Sequence, residues 1–280
     1  VLIGDPYQLP SVEAGNSLAA LASSYSIPQV VLTEVFRQAR NSTILRNAGL
    51  VNLERPFPTA AAPDFQFIDT AEPQAMLRAL DETLTALQAQ GFNPIREVHV
   101  LTPLNKGGGD ISVMSLNLRL RDRLNPRTAA NSFSVFGREF RLGDKVMQRR
   151  NDYALELFNG DIGYITANHA DTGCTEIEFY RKTVSVPHLA MESIVLNYAM
   201  TVHKAQGSEN RAVIFLATRA GCYFLLNKNL FYTAMTRARE KLVMIMPYDV
   251  VTAALRYSTQ RHSHLATRLQ EIVIGREPSR

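Results

Sequence analysis

The sequence predicts an α/β protein in which a parallel sheet with flanking helices is interrupted by a small all-β insert. Apolar runs with strand character alternate with amphipathic helices over most of the chain, and this alternation is typical of a parallel sheet. Between Phe133 and Val195 the alternation gives way to short strand-like runs separated by Gly-Asp and Asn-Gly turns. The 280 residues, 46% of them hydrophobic, are enough for two or three domains.

The predicted elements follow one another in a regular order. Val1–Ile3 is expected to be an apolar strand that ends at Gly4-Asp5-Pro6, and residues 17–24 are expected to form a helix. Further strands are predicted at 30–33, 98–102, 194–198, 212–217 and 242–246. Further helices are predicted from a cap at Asn41 or Ser42 to Pro56, between Pro73 and Gly91, at 111–124 and at 230–239.

Composition excludes several classes of protein. No run approaches the ~18 apolar residues that a membrane span needs, and the first residues lack a signal-peptide pattern. Cys174 and Cys222 lie far apart without metal-ligand spacing, so neither a zinc site nor a disulfide framework is predicted, and a cytoplasmic location is expected. The net charge of +4 permits a nucleic-acid partner.

Three separated segments carry the most specific patterns. They are GDPYQLPSVEAGN at 4–16, YAMTVHKAQGSE at 198–209 and FYTAMTRAREKL at 231–242. Together they resemble motifs III, V and VI of RecD-like superfamily 1 DNA helicases, the family of the exodeoxyribonuclease V alpha subunit. LTEVFRQARNSTI at 32–44 is similar to motif IV, and the segment 101–126 resembles the stretch between motifs IV and V. The resemblance implies RecA-like domains and an ATP-dependent DNA helicase.

Motifs III, IV and VI contain the predicted nucleotide-facing side chains. A strand that runs into Gly4-Asp5-Pro6 would deliver the following residues to the carboxyl edge of a parallel sheet, where ligands of such folds bind. The amide of Gln8 can donate to a terminal phosphate oxygen, so Gln8 is predicted to sense the γ-phosphate, with Gly4 and Asp5 beside the nucleotide. The resemblance identifies Arg237 as an arginine finger and Arg37 as a second phosphate-binding arginine.

Motif V is expected to couple the nucleotide to DNA. Thr201 is placed to cap a helix after a strand, and the resemblance implies that Thr201 and His203 contact the single-strand backbone. It also implies that Gly207 and Glu209 lie at the nucleotide. A packed histidine and a helix-terminal carboxylate are the alternatives for His203 and Glu209. Lys106, beside three glycines, is either a backbone phosphate contact or a solvated lysine.

The all-β insert resembles the SH3-like barrel of RecD-like helicases, through FRLGDKVMQRRNDY and FNGDIGYI. Its position makes it a candidate wall of the DNA path, with Tyr153 able to stack on a base or to belong to the barrel core. The other candidates for the DNA path are Lys145, Arg149 and Asn151. The expected core residues of the barrel are Phe140, Val146, Phe158 and Ile162.

The order of motifs divides the chain into five regions. They are 1–28 as the end of a first RecA-like domain, 29–132 and 194–258 as the two parts of a second, 133–193 as the insert, and 259–280 as a tail expected to be partly disordered. No GxxxxGK[ST] loop is present, and no Asp-Glu pair stands at the end of an apolar strand before Gly4. In family order both precede motif III, so the sequence is expected to be cut from a longer one and to be inactive alone.

The resemblance further implies ATP with Mg²⁺ as cofactor, single-stranded DNA as partner, 5′ to 3′ movement, and RecB-like and RecC-like subunits as candidate partners. No protein-bound metal site is predicted. Two alternatives stay open. One is a nucleic-acid-binding remnant without a motor, against which the combination of Gln8, Arg37, Glu209 and Arg237 argues. The other is the helicase part of a conjugative relaxase.

Overall fold

The structure is a computed structural model that describes residues 1–10, 15–24, 27–31, 42–107, 109–180, 182–219, 224–257, 264–265 and 267–269. Its helices are α1 (Ser17–Ser23), α2 (Thr43–Asn52), α3 (Pro73–Ala89), α4 (Val113–Leu124), α5 (Lys228–Met235) and α6 (Tyr248–Arg256). Its strands are β1 (Phe65–Ile68), β2 (Val98–Thr102), β3 (Ser132–Val135), β4 (Arg138–Arg141), β5 (Lys145–Gln148), β6 (Ile162–His169), β7 (Cys174–Phe179), β8 (Thr183–Pro187), β9 (Ile194–Leu196), β10 (Ala199–Thr201), β11 (Asn210–Leu216) and β12 (Ala238–Ile245).

The predicted parallel sheet is confirmed. Five strands pair in the order β1-β12-β11-β2-β10, and every pair is parallel. All five residues of β2 are buried, and a hydrophobic core lies on each face of the sheet. Below, this sheet with its helices is called the motor sheet.

Each face of the motor sheet has its own hydrophobic core. On one face α2, α5 and α6 pack against residues such as Leu101, Phe215 and Met244. On the other face α3 and α4 pack against Val100, Ile214 and neighbouring strand residues. The alternation of side chains along each strand therefore sorts them between two helix layers.

The helices that the sequence marked most clearly lie where it placed them. α2 begins after Ser42, whose hydroxyl accepts a hydrogen bond from the N–H of Leu45. α3 has Pro73 in its first turn, and Gly91, just after its end, has a φ of +87° that suits glycine. The helix predicted at 111–124 is α4, preceded by one 3₁₀ turn at Gly109–Ile111.

The predicted all-β insert is confirmed, and all its strand pairs are antiparallel. β3 pairs with β4, and the other strands form a five-stranded sheet of order β8-β7-β6-β5-β9 around a core of their own. Gly163 is required at its place in β6, because a Cβ there would lie 2.6 Å from a side-chain carbon of Ile177 and 2.9 Å from the ring of Phe179. These strands are called the barrel below.

Several local expectations were wrong. Val1–Ile3 and Val30–Val31 are exposed and not in strands, because within the described residues no neighbouring strand pairs with them. Ile194–Leu196, expected in the parallel sheet, pairs with β5 of the barrel, and the motor strand starts only at Ala199. The helix expected at 230–239 ends at Met235, and β12 already begins at Ala238.

Other parts of the chain lie outside the predictions or outside the described residues. β1 and α6 were not predicted from the sequence. Most of the expected tail at 259–280 and most of the motif IV segment at 32–44, including Arg37, lie outside the described residues. None of the helices in the described ranges is long and apolar enough to cross a membrane.

Candidate nucleotide and nucleic-acid site

Motif III forms a compact turn that carries Gln8. The N–H of Tyr7 and the Nε2 of Gln8 both donate to the carboxylate of Asp5, at 2.9 and 3.2 Å. Gly4 lies against α1, since a Cβ there would be 2.6 Å from a methyl of Leu18. Asp5 therefore orients the Gln8 amide. The prediction that this turn follows a strand of the sheet was wrong.

Side chains of α5 and of motif V hold the turn against the motor sheet through hydrogen bonds to its main chain. The N–H of Leu9 donates to Oγ1 of Thr233 on α5 at 2.8 Å, and Nε2 of Gln206 in motif V donates to the Leu9 carbonyl at 2.6 Å. We call this pair of side chains the Leu9 clamp. Asn229, one turn earlier on α5, donates to the carbonyls of Tyr7 and Gln8 at 2.9 and 3.2 Å.

An aromatic contact supports the same docking. The rings of Tyr7 and Tyr232 meet edge to face with centroids 6.2 Å apart. The hydroxyl of Tyr232 also lies near the carboxylate of Asp5. Burial, together with this carboxylate, raises the pKa of Tyr232 to about 12. Motif III thus rests on the α5 segment of motif VI, although the two are more than 220 residues apart in sequence.

Arg237 is buried between motifs V and VI, with 5% of its surface exposed. Its Nε donates to the carbonyl of Thr233 at 3.1 Å, its Nη1 to the carbonyl of Ser208 at 3.0 Å, and its Nη2 to Oγ1 of Thr236 at 3.3 Å. In this conformation the predicted finger connects two motifs. To bind a phosphate it would have to exchange carbonyl partners for phosphate oxygens.

A second buried cation lies near Arg237. Lys145, predicted on the DNA path, is only 1% exposed, and its ammonium donates to the carbonyl of Val98 at 3.1 Å. That prediction was wrong because β5 turns this side chain toward the motor sheet, away from solvent. Burial lowers the pKa of Lys145 to about 7. Burial, and then the charges of Lys145 and Arg237, lower the pKa of His99 well below its usual value.

Motif V runs across the sheet as a series of turns and not as the expected helix. Thr201 is buried at the end of β10, and its hydroxyl accepts from the N–H of Lys204 at 3.3 Å, a cap-like contact. His203 and Glu209 are half-buried. Gly207 has a φ of +80° with open space around the position of a Cβ, so it combines a glycine conformation with an accessible main chain.

The first candidate DNA contacts emerge at one edge of the sheet. Thr201 and Thr102 are register partners at the ends of adjacent parallel strands. His203 and the exposed Lys106 follow these two strand ends in their respective loops. Neighbouring parallel strands thus bring the three predicted residues Thr201, His203 and Lys106 to the same side of the motor sheet.

The barrel presents a second candidate surface on the loop between β5 and β6. Tyr153 is 76% exposed and Phe158 51% exposed, with their rings 6.3 Å apart. The amide of Asn151 donates to the Tyr153 hydroxyl and accepts from the N–H of Asn159 at 2.9 Å, which fixes the loop. Tyr153 is therefore not a core residue, and the expectation that Phe158 belongs to the core was wrong. Phe140 and Val146 are buried in the core as expected.

Cations border this aromatic loop. Arg149 at its base is exposed and lies close enough to Arg138 and Lys204 to affect both. Burial, followed by the charge of Arg149, lowers the pKa of Arg138 and of Lys204. Lys204 also lines a cleft of about 290 Å³ between residues 159–162 of the barrel and residues 204–208 of motif V. Arg149, Tyr153 and Phe158 lie on the barrel. Together with the neighbouring Lys204 of motif V, they are called the barrel surface below.

Several of these residues were not predicted as functional. Gln206, Asn229, Thr233 and Lys204 are polar residues inside or beside the quoted motifs, and nothing in their spacing separates them from solvated side chains. Ile162, expected in the barrel core, instead packs against the core of the motor sheet. Among the described residues, no group of three or more His, Cys, Asp and Glu side chains is arranged to hold a metal ion.

Three family models match consecutive parts of the chain. The SH3 domain of ATP-dependent RecD-like DNA helicases matches residues 116–179, the UvrD-like helicase C-terminal domain matches residues 196–245, and an AAA domain matches residues 1–60.

Curated relatives extend these matches. The chain is 35% identical over 242 residues to the ATP-dependent RecD2 DNA helicase of Deinococcus radiodurans, covering 86% of this chain and 32% of that protein. It is 26% identical over 291 residues to the RecBCD enzyme subunit RecD of Mycobacterium tuberculosis, covering 98% and 49%. It is 27% identical over 249 residues to the conjugal transfer protein TraA of Rhizobium radiobacter, covering 86% and 21%. The chain spans half or less of the length of these relatives.

A solved structure supports the fold. A Pif1 helicase from Bacteroides, crystallised with ADP-AlF3 and single-stranded DNA, superimposes with a TM-score of 0.51 at 16% identity, covering 98% of this chain and 66% of that one. The matched domains are those of helicases, and the superposition supports the same fold. The SH3-domain match and the RecD2 and RecD relatives support the C-terminal portion of a RecD-like helicase, the family that the sequence motifs resemble.

Proposed function

We propose that the chain is the C-terminal motor portion of an ATP-dependent helicase that translocates 5′ to 3′ along single-stranded DNA. The observation that carries the proposal is the meeting of motifs III, V and VI around Leu9 and Arg237. Three segments that are distant in sequence contact one another through hydrogen bonds of 2.6 to 3.1 Å. A binding module would not need this convergence of an orienting carboxylate, an amide and an arginine.

The available donors suit a nucleotide. Gln8 offers an amide, Arg237 a guanidinium and Gly207 an accessible main chain. Nδ1 of His99, a buried atom in the region of Arg237, has no hydrogen-bond partner among the described residues. Bound ATP with Mg²⁺ would supply the phosphoryl group that is transferred to water. We assign Gln8 to sensing the γ-phosphate, Arg237 and Arg37 to stabilising its charge, and Gly4, Asp5, Gly207 and Glu209 to the nucleotide surroundings.

The DNA surface combines two elements that flank motif V. Thr201, His203 and Lys106 lie on one side of the motor sheet. The barrel surface adds two exposed rings, those of Tyr153 and Phe158, and the two cations Arg149 and Lys204. Exposed rings can stack on bases, and cations can neutralise phosphates, without reading sequence. We assign Asn151 to holding Tyr153 in its exposed position.

Two features set the scope of the proposal. We infer that residues 29–132 and 194–258 form one RecA-like domain, with the Walker elements in a segment outside this sequence. The similarity to TraA favours a second candidate, the helicase part of a conjugative relaxase, which uses the same motor chemistry. RecB-like and RecC-like partner subunits follow only from the similarity to a RecBCD subunit.

Strand displacement by the full-length gene product tests the direction. Duplexes with a 5′ tail, a 3′ tail or blunt ends are compared at equal protein concentration with ATP and Mg²⁺. We expect displacement of the 5′-tailed substrate only. Displacement of the 3′-tailed substrate alone would refute the direction, and ATP hydrolysis without displacement of any substrate would refute the helicase activity.

A further inference from the structure

Motifs III, V and VI are joined by a closed circuit of hydrogen bonds. The Leu9 N–H donates to the Thr233 hydroxyl at 2.8 Å, and the Thr233 carbonyl accepts from Nε of Arg237 at 3.1 Å. Nη1 of Arg237 donates to the Ser208 carbonyl at 3.0 Å, and Gln206, two residues earlier, returns to the Leu9 carbonyl at 2.6 Å. The arginine and the motif III main chain are therefore held by the same two short segments.

Three members of the circuit lie in the interior of the protein, and Gln206 and Ser208 are half-buried. Leu9, Thr233 and Arg237 are all buried, so water cannot easily replace a missing partner. A buried donor or acceptor without a partner is costly, and the N–H and carbonyl of Leu9 can keep these bonds only if Thr233 and Gln206 stay in place. Movement of one residue of the circuit should therefore move the other residues as well.

Thr233 connects the two sides most directly. Its hydroxyl holds Leu9, while the carbonyl of the same residue holds Arg237. Leu9 directly follows Gln8, whose own carbonyl is held by Asn229 on the preceding turn of α5. Displacement of Arg237 from its inward position consequently acts, through Thr233, on Leu9. Leu9 is the direct neighbour of the sensor residue Gln8.

We propose that Thr233 and Gln206, the Leu9 clamp, are positioning residues that make the placement of Gln8 depend on the placement of Arg237. The inference rests on the proposed function for its catalytic consequence. When Arg237 exchanges the carbonyls of Thr233 and Ser208 for a phosphate, the clamp repositions the motif III turn and sets the Gln8 amide for the same phosphate. Neither clamp residue contacts the reacting atoms.

The first experiment uses kinetics of ATP hydrolysis by the full-length gene product with saturating single-stranded DNA. Thr233→Val removes the hydroxyl at nearly constant volume, and Thr233→Ser keeps it. We expect Thr233→Val to lower kcat about tenfold with little change in KM, and Thr233→Ser to stay near wild type. Gln206→Leu should lower kcat similarly. Thr83→Val, the same change at a buried site on α3 across the sheet, is the matched control.

The second experiment does not depend on hydrolysis. Amide hydrogen exchange of a peptide covering residues 5–10 is measured by mass spectrometry, with a peptide covering β2 as internal reference. Both Thr233→Val and Arg237→Ala should accelerate exchange in the 5–10 peptide and leave the β2 peptide unchanged. Unchanged exchange in Arg237→Ala would overturn the coupling, and so would a Thr233→Val enzyme with wild-type kcat. A wild-type protein without DNA-stimulated hydrolysis would instead refute the proposed function, and the exchange experiment would still decide on the clamp.

Discussion

Replacing Lys145 by methionine should remove a pH dependence of stability that its buried ammonium imposes. Lys145 extends from β5 of the barrel to the Val98 carbonyl at the start of β2. On the motor side, Arg237 before β12 is charged, and His99 on β2 is kept neutral by its lowered pKa; Tyr164 is the register partner of Lys145 on β6. The carboxylate of the adjacent Asp144 is occupied elsewhere, by Tyr198 and Asn125.

The sign and size follow from the pKa of Lys145, which burial lowers from 10.5 to about 7. Between these values the unfolded chain binds a proton that the folded protein releases. Stability therefore rises with pH across this window, and the cost of burying Lys145 grows as the pH falls toward 7. Integration between pH 7 and pH 9 gives about 2 kcal/mol. Loss of the bond to Val98 adds about 1 kcal/mol of destabilisation that does not depend on pH.

Urea denaturation at pH 7 and pH 9, followed by circular dichroism, measures the effect. The unfolding free energy of Lys145→Met minus that of wild type should be about 2 kcal/mol larger at pH 7 than at pH 9, because only wild type loses stability toward pH 7. Lys182→Met is the matched control, because Lys182 also donates to a carbonyl, that of Leu155 at 2.8 Å, but its side chain is 36% exposed. Because this side chain is partly exposed, its replacement relieves no comparable burial cost, and its difference from wild type should change less between the two pH values. An equal difference at both pH values for Lys145→Met would refute the reasoning.

Three further predictions concern DNA binding by the barrel and the contact between the barrel and the motor sheet. Arg149→Ala should weaken binding to single-stranded DNA and reduce the slope of log affinity against log salt by about 0.7, because one phosphate is no longer neutralised, as measured by fluorescence anisotropy. Tyr153→Ala should cost ~1–3 kcal/mol of binding because the stacking ring is removed, whereas alanine at Tyr180, an even more exposed tyrosine of the barrel, should have little effect; equal effects would argue against a specific stacking site. Tyr198→Phe should lower the unfolding free energy by ~1–3 kcal/mol in thermal or urea melts, because it removes the 2.9 Å bond to the buried carboxylate of Asp144, and an unchanged stability would contradict this.

The sequence predicted the elements whose signals are local. α3 combines a proline in its first turn, apolar residues at helical spacing and a glycine beyond its end, and the structure contains that helix. β1 escaped prediction because four residues give too little periodicity to separate a strand from a loop. Val1–Ile3 was wrong for a different reason, since apolar residues form a strand only where a partner strand is available.

The site was predictable as a set of motifs but not as a set of contacts. Arg237 and Gln8 could be singled out because they stand in long specific patterns. The Leu9 clamp could not, because it consists of bonds from side chains to main-chain atoms 197 and 224 residues away. The register of β5 likewise decided which of its residues faces the motor sheet. The alternation of side chains along β5 could not by itself predict that Lys145 would lie on the face buried against the motor sheet.

Hydrolysis of ATP by the full-length gene product, with and without single-stranded DNA, tests the central claim most directly. Wild type is compared with Arg237→Ala, with Arg237→Lys to keep the charge, and with Arg239→Ala as the matched control two residues along the chain. The account predicts that DNA stimulates wild type and Arg239→Ala, and that Arg237→Ala loses about 10³ to 10⁵ in turnover while it remains folded. A folded Arg237→Ala protein that hydrolyses ATP as wild type does, or a wild type that hydrolyses none, would contradict it.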